Sequence, residues 1–278
     1  AGGNGFIGSY ICNILSKKGF RVFSIDNNTI YVKKPYDFDF YENLKFKKIL
    51  LNKIKCYKLD ITDFKKTKKL IKKINPNYII HLASLPISSI ALNDNQLSFN
   101  SILKSTSNLI NASKDIKNFK SFLYISSSMV YGNFKRKKVI ETDSKNPVEI
   151  YGSYKYAGEI IAKSLCRRFN INLNIVRPSA VYGPGDNNKR IVSIMLKNTL
   201  LGKKTVLNNP KRNFLDFTFV EDTAQGIVQC LLKGKNQTFN ITYGKSRSLQ
   251  ELVDIVKKSF SGLKYKAVYK KQKFIPLR

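Results

Sequence analysis

Short apolar runs alternate with longer amphipathic stretches through most of this chain, and that alternation restricts the fold more than any other feature. Residues 19–26, 55–60, 77–82 and 121–126 read as buried strands, while 6–18, 63–74, 97–113 and 151–169 carry apolar positions at helical spacing. Strand, helix, strand in repetition predicts a parallel sheet. Right-handed crossovers then place helices on both faces, giving a doubly wound α/β fold whose ligands sit at the carboxyl ends of the strands. Past Arg177 the pattern loosens, with a turn at 183–185, helices near 190–201, 221–233 and 248–260, and a strand near 214–220. Ser248 reads as the cap of the last helix. The expected organisation is a main domain over 1–177 and a smaller C-terminal substrate lobe over 178–278, with 214–241 returning to the main domain.

A chain of 278 residues, 42% hydrophobic and 12% aromatic, can bury a sizeable core. The sequence has no long uncharged apolar run and no charged segment leading into one, so neither a membrane span nor a signal peptide is expected, and a cytoplasmic protein is. Cys12, Cys56, Cys166 and Cys230 are scattered without a CxxC pair and read as reduced thiols; with His81 as the single histidine, metal chemistry is not expected. The net charge of +32 invites a polyanion-binding reading. The lysines are instead spread along the chain, in pairs such as Lys17-Lys18, Lys47-Lys48 and Lys72-Lys73 expected on solvated helix faces, without a nucleic-acid motif.

The chain opens on glycines at GxxGxxG spacing, Gly2, Gly5 and Gly8, directly ahead of a helical stretch that begins Phe6-Ile7. Glycines permit a tight turn and let backbone approach a pyrophosphate, whose charge a helix N-terminus favours. Asp26, ending the next strand ahead of Asn27, offers a carboxylate to a ribose 2'-hydroxyl and would repel a 2'-phosphate, which favours NAD over NADP. Such a turn ordinarily follows a strand that this sequence lacks, so the chain reads as a fragment missing a central strand. Tyr151 and Lys155 stand at i and i+4 on one helix face, where a cation favours the phenolate and lets the tyrosine act as a base. Ser126, Ser127 and Ser128 end an apolar run at the ligand-binding edge, where hydroxyls can donate to a substrate oxygen or simply cap the strand.

These elements, with Asp60-Ile61, the segment His81 to Ser84, Asn100, Val130-Tyr131-Gly132, Arg177 to Pro184, Leu215 to Asp222 and Phe239 to Thr242, resemble the NAD-dependent epimerase/dehydratase family of the extended short-chain dehydrogenase type, whose archetype is UDP-glucose 4-epimerase. The resemblance implies a Rossmann-like domain, NAD as cofactor and a nucleotide sugar as substrate. It implies cofactor contacts from Gly2, Gly5, Phe6, Ile7, Gly8, Asp26, Asn27, Asp60, Ile61, Leu82, Ala83, Ser84, Asn100, Tyr151, Lys155 and Pro178. Asp60 and Ile61 would lie against adenine and Pro178 near the nicotinamide. Ser127, Tyr151 and Lys155 would form the catalytic set, and Ser127, Ser128 and Arg278 would meet substrate. His81 is expected in the core or beside the cofactor rather than in catalysis. The family often dimerises through the tyrosine helix and its predecessor, which here means residues 97–113 and 151–169.

The same resemblance narrows the reaction. Dehydratases and decarboxylases place acidic residues just after the catalytic serine position, where this chain has Ser128 and Met129, so epimerisation by transient oxidation is preferred; a dehydratase or a reductase that releases its cofactor remains the alternative. A non-catalytic NAD sensor or a polyanion binder is the reading from other classes. Two family positions depart: Ala180 replaces an asparagine and Leu215 an arginine, and Lys189, Arg190 or Arg212 is the candidate to supply the missing charge.

Overall fold

The computed structural model describes residues 1–31, 38–86, 88–134, 138–188, 190–260, 262 and 265–270. The first half alternates helices and strands: α1 (Phe6–Lys17), β1 (Phe23–Asp26), α2 (Phe38–Leu50), β2 (Lys55–Lys58), α3 (Phe64–Ile74) and β3 (Tyr78–His81). Two short helices follow, α4 (Ser88–Asn93) and α5 (Asn95–Ser98), then a π-helical turn (Phe99–Lys104) running into α6 (Ser105–Ser113). Next come β4 (Ser121–Ile125), a 3-10 turn (Ser128–Tyr131), α7 (Ile150–Arg168), β5 (Leu173–Pro178) and β6 (Ala180–Tyr182). The remainder holds α8 (Ile191–Leu200), β7 (Lys204–Asn208), β8 (Phe214–Leu215), β9 (Phe217–Phe219), α9 (Val220–Lys233), β10 (Thr238–Ile241), β11 (Arg247–Ser248), α10 (Leu249–Ser259) and β12 (Lys266–Lys270).

Strands β10, β5, β4 and β3 form a parallel sheet in that order, and β1 pairs with β2 beside it. Ala1 and Gly2 bridge the two: the Ala1 carbonyl accepts from Leu82 N and Ala83 N, and Gly2 N donates to Ile25 O. Alternate residues of β4 face opposite layers, as its period-two geometry requires. Leu123 and Ile125 pack with Phe6, Ile11 and Leu15 of α1 and with Ala224, Ile227 and Leu231 of α9. Phe122 and Tyr124 pack with Ile71, Leu109 and Ala162 of α3, α6 and α7. Helices therefore cover both faces, as expected for a doubly wound α/β fold. A smaller core, Met195, Leu207, Leu249, Val253 and Val256, holds α8, β7 and α10 together. Ser248 caps α10 in a box with Glu251, each satisfying the other's backbone amide.

Three sequence expectations need correction. Residues 97–113 are not one regular helix, because the chain passes from α5 through the π-helical turn that carries Asn100 into α6. Residues 214–220 split at Asp216 into β8, which pairs with β11, and β9, which pairs with β6, and the Asp216 carboxylate accepts from Tyr243 N and Gly244 N at the break. Lys47 is half-buried rather than solvated: Phe46 packs on Tyr10 with ring centroids 5.8 Å apart, the Lys47 stem lies along Gly185, and the side chain lines the cavity at the carboxyl ends of the strands. Lys17, Lys18, Lys48, Lys72 and Lys73 are exposed.

Candidate active site

One cavity of about 1660 Å³ runs along the carboxyl ends of the strands, larger than the roughly 300–1,000 Å³ of an ordinary small-molecule pocket. Its volume suits two ligands side by side. Every site residue named from the sequence lines it except Arg278, which, like Lys189, lies outside the described residues.

At one end stands the N-terminus of α1. Its first turn has no acidic residue and no side-chain cap, and the first helical bond, Ser9 N to Gly5 O, leaves the amides of Phe6, Ile7 and Gly8 ahead of it as donors. A Cβ on Gly8 would strike the Gly2 carbonyl and the Gly3 backbone, so the turn closes this tightly only with glycine there. Asp26 is held facing the same space: its Oδ2 accepts from Asn4 N at 3.1 Å and its Oδ1 from Asn28 N at 2.8 Å, which fixes the carboxylate and leaves further lone pairs for hydroxyl donors. Bare amides, a glycine-lined turn and an oriented carboxylate fit a dinucleotide.

At the other end β4 delivers three serines that divide by partner. Ser126 donates to Glu159 Oε1 at 2.6 Å in the interior. Ser127 accepts from Met129 N at 3.2 Å, capping the 3-10 turn while its own proton remains available to the cavity, so the capping and donor roles coexist. Ser128 follows on the cavity wall. Gly152 sets the distance between this turn and the tyrosine helix, because a Cβ there would stand 2.6 Å from the Met129 carbonyl. Tyr151 and Lys155 thus face the cavity beside Ser127.

The electrostatics differ from the expectation that Lys155 lowers the Tyr151 phenol. Burial raises the phenol above its ordinary value, and Ser84 and Arg190 pull it partly back. Lys155 is itself pushed down to about 7 by burial, partly offset by Glu159. Its Nζ donates to the Ile125 carbonyl at 2.9 Å and stands 5.8 Å from the Tyr151 ring centre. Desolvation therefore outweighs the short i,i+4 spacing.

Glu159 carries no sequence motif of its own yet organises the region. Its carboxylate accepts from Arg177 Nε at 2.8 Å and Nη2 at 2.6 Å, both side chains being almost fully buried. Arg177 Nη1 reaches the Tyr131 hydroxyl at 2.7 Å, which donates to Asn240 Oδ1 at 2.8 Å. This network ties β4, α7, β5 and β10 together directly beneath Ser127 and Pro178. His81 stays in the core, packed against Phe122 and Tyr124 with Nε2 3.0 Å from Thr106 Oγ1, and is not part of the cavity wall. The departing positions Ala180 and Leu215 do line the wall; of the proposed replacements, Arg190 lines it and Arg212 is exposed outside it.

The chain is similar to a putative UDP-glucose 4-epimerase of Methanocaldococcus jannaschii, 29% identical over 97% of this chain and 84% of that protein. It is 27% identical to UDP-glucuronate 4-epimerase 5 of Arabidopsis thaliana over 85% of this chain, which spans 54% of that longer relative. The solved UDP-glucuronic acid 4-epimerase of Bacillus cereus, in complex with UDP-glucuronic acid and NAD, superposes with a TM-score of 0.85 at 25% identity, covering 100% of this chain and 86% of that one. A family model matches residues 1–242, and with the glycine cradle, the Tyr151–Lys155 helix and the doubly wound sheet already in place, the chain belongs to the NAD dependent epimerase/dehydratase family.

Proposed function

We propose that this protein is an NAD-dependent nucleotide-sugar epimerase that inverts C4 of a UDP-sugar by transient oxidation. The observation that carries the reading is the meeting of Ser127, Tyr151 and Lys155 in the same cavity as the glycine cradle and Asp26. The α1 amides and Gly2, Gly5 and Gly8 would hold the pyrophosphate of NAD, Asp26 with Asn27 the adenosine ribose, Asp60 and Ile61 the adenine, and Leu82 to Ser84, Asn100 and Pro178 the nicotinamide half. Bound there, NAD supplies an acceptor for hydride from the sugar carbon.

Tyr151 takes the proton of the sugar hydroxyl as the carbon–hydrogen bond is broken, and Ser127 donates a hydrogen bond to the same oxygen. Lys155, charged, stabilises the phenolate and holds the nicotinamide ribose. Once the keto sugar has turned over, Tyr151 gives the proton back to the same oxygen, and the cofactor would return the hydride it had accepted, leaving no net oxidation. The absence of an acid at Ser128 and Met129 favours this course over elimination of water.

The relatives named as 4-epimerases support the substrate class. The test is an assay with UDP-glucose, UDP-N-acetylglucosamine and UDP-glucuronate that reads sugar products and NADH. Inversion at C4 without net NADH is expected, with Tyr151→Phe lowering turnover by about 10²–10⁴-fold while cofactor binding persists. Net NADH would replace epimerisation with dehydrogenase chemistry, net consumption of added NADH with a reductase, and a dehydrated sugar with a dehydratase.

A further inference from the structure

Arg190 is the single arginine among the described residues that line the cavity. It stands immediately ahead of α8, where the loop after β6 folds back across the top of α1. Its Nη1 donates to Asp186 Oδ1 at 2.7 Å, and its Nη2 donates to the Pro86 carbonyl at 3.0 Å, so it spans from that loop to the segment following β3. Its guanidinium carbon lies 5.5 Å from the centre of the Phe6 ring, the first residue of α1. These bonds engage two of five N–H donors, and the side chain stays 28% exposed while Asp186 is 1% exposed. The fork is thus anchored from behind and open in front.

The other cations of the wall are placed differently. Lys155 spends one N–H on the Ile125 carbonyl and stands beside Tyr151, burial lowers the Lys47 ammonium, and Lys48 and Lys138 are exposed. Leu215 adds no charge. A permanently charged planar fork matches two oxygens of a phosphate in a way that a lysine does not.

Resting on the nucleotide-sugar reading above, we infer that Arg190 is the diphosphate-binding fork of this cavity, holding that group beside the N-terminus of α1 within reach of the Tyr151 chemistry. Two ligands carry a diphosphate, the dinucleotide and the nucleotide sugar, and their contributions separate by experiment. Calorimetric titration of the whole protein with NAD, UDP and uridine compares wild type, Arg190→Met and Arg190→Lys. Loss of about tenfold or more in UDP affinity in Arg190→Met, with uridine unchanged and Arg190→Lys intermediate, supports the inference and assigns the substrate diphosphate. The same loss for NAD alone supports it and assigns the cofactor pyrophosphate.

Affinities for both within about twofold of wild type overturn it. Because Arg190→Met strands the buried Asp186, the double variant Arg190→Met/Asp186→Asn carries the same titrations if the single variant does not fold. A wild-type protein that binds NAD but neither UDP nor UDP-sugars would sink the nucleotide-sugar reading, and the NAD titration would then decide Arg190 by itself.

Discussion

Burial holds His81 well below its ordinary pKa, with the N-terminal ammonium and Lys155 adding to the shift, so in the folded protein it stays neutral below the pH at which a free imidazole takes a proton. In the unfolded chain it takes a proton below about pH 6.5. The unfolded state therefore binds more protons there, and stability must fall as pH drops from about 6.5 toward 5, by up to about 1.4 kcal/mol per pH unit from this one group. Urea denaturation across that window is expected to show the loss in wild type and a shallower one in His81→Gln; equal slopes would remove His81 as the cause. Lys155 follows the opposite side of neutrality: with its folded value near 7 and its unfolded value near 10.4, the unfolded chain is the more protonated between them, so its penalty on folding fades as pH rises. What is legible at this scale is identity and spacing. Tyr151, Lys155 and Asp26 are found because the chemistry fixes their separations, whereas their pKa values depend on burial that no local pattern carries. Arg190 announces itself only as a cation ahead of a helix, since its meeting with Pro86 spans 104 residues.

At the scale of elements, the pair Glu159–Arg177 joins the tyrosine helix to the central strand of the site, with Ser126 and Tyr131 completing its hydrogen bonds. Breaking a buried pair strands the remaining charge, so Glu159→Gln is expected to lower stability by about 3–5 kcal/mol, and adding Arg177→Met is expected to recover a large part of it. Chemical denaturation of the three proteins reads this directly; additive losses in the double variant would mean that the two side chains act independently. The helices α3, α7 and α9 are legible because each keeps a single buried stripe, for instance Thr67, Ile71 and Ile74 in α3. The π-helical turn at Asn100 is not, because the local change in hydrogen-bond register is set by packing against α7 and α6 and carries no residue signature of its own. Helix α2 escapes for another reason: its Asn43 and Phe46 face the loop at Gly185 and the ring of Tyr10, contacts set by distant chain rather than by an internal stripe.

For the whole molecule, the parallel sheet between two helical layers follows from the strand–helix alternation, since strands of this kind need helices over both faces. The C-terminal part is less legible because its strands are either very short, as β8 and β11 are, or exposed along most of their length, as in β12, where parallel pairing with β7 fixes the register. No helix among the described residues is long and apolar enough to cross a membrane. The surface nevertheless leaves large apolar side chains outward on the helices around the tyrosine helix: Leu92 on α4, Phe99 on the π-helical turn and Ile160 on α7 are 75%, 46% and 53% exposed. The π-helical turn and α6 pack beside α7, so this ground is continuous. We propose that two copies meet there, each pair of helices covering the other's, which would bury those side chains without touching the cavity. Light scattering at micromolar concentration is expected to give a dimer for wild type and a monomer for Ile160→Arg, because a desolvated charge at the centre of a self-complementary face is counted twice. NAD binding in the variant should be unchanged, which separates loss of assembly from loss of fold. A wild-type monomer, or a dimer indifferent to Ile160→Arg, would place the assembly surface elsewhere.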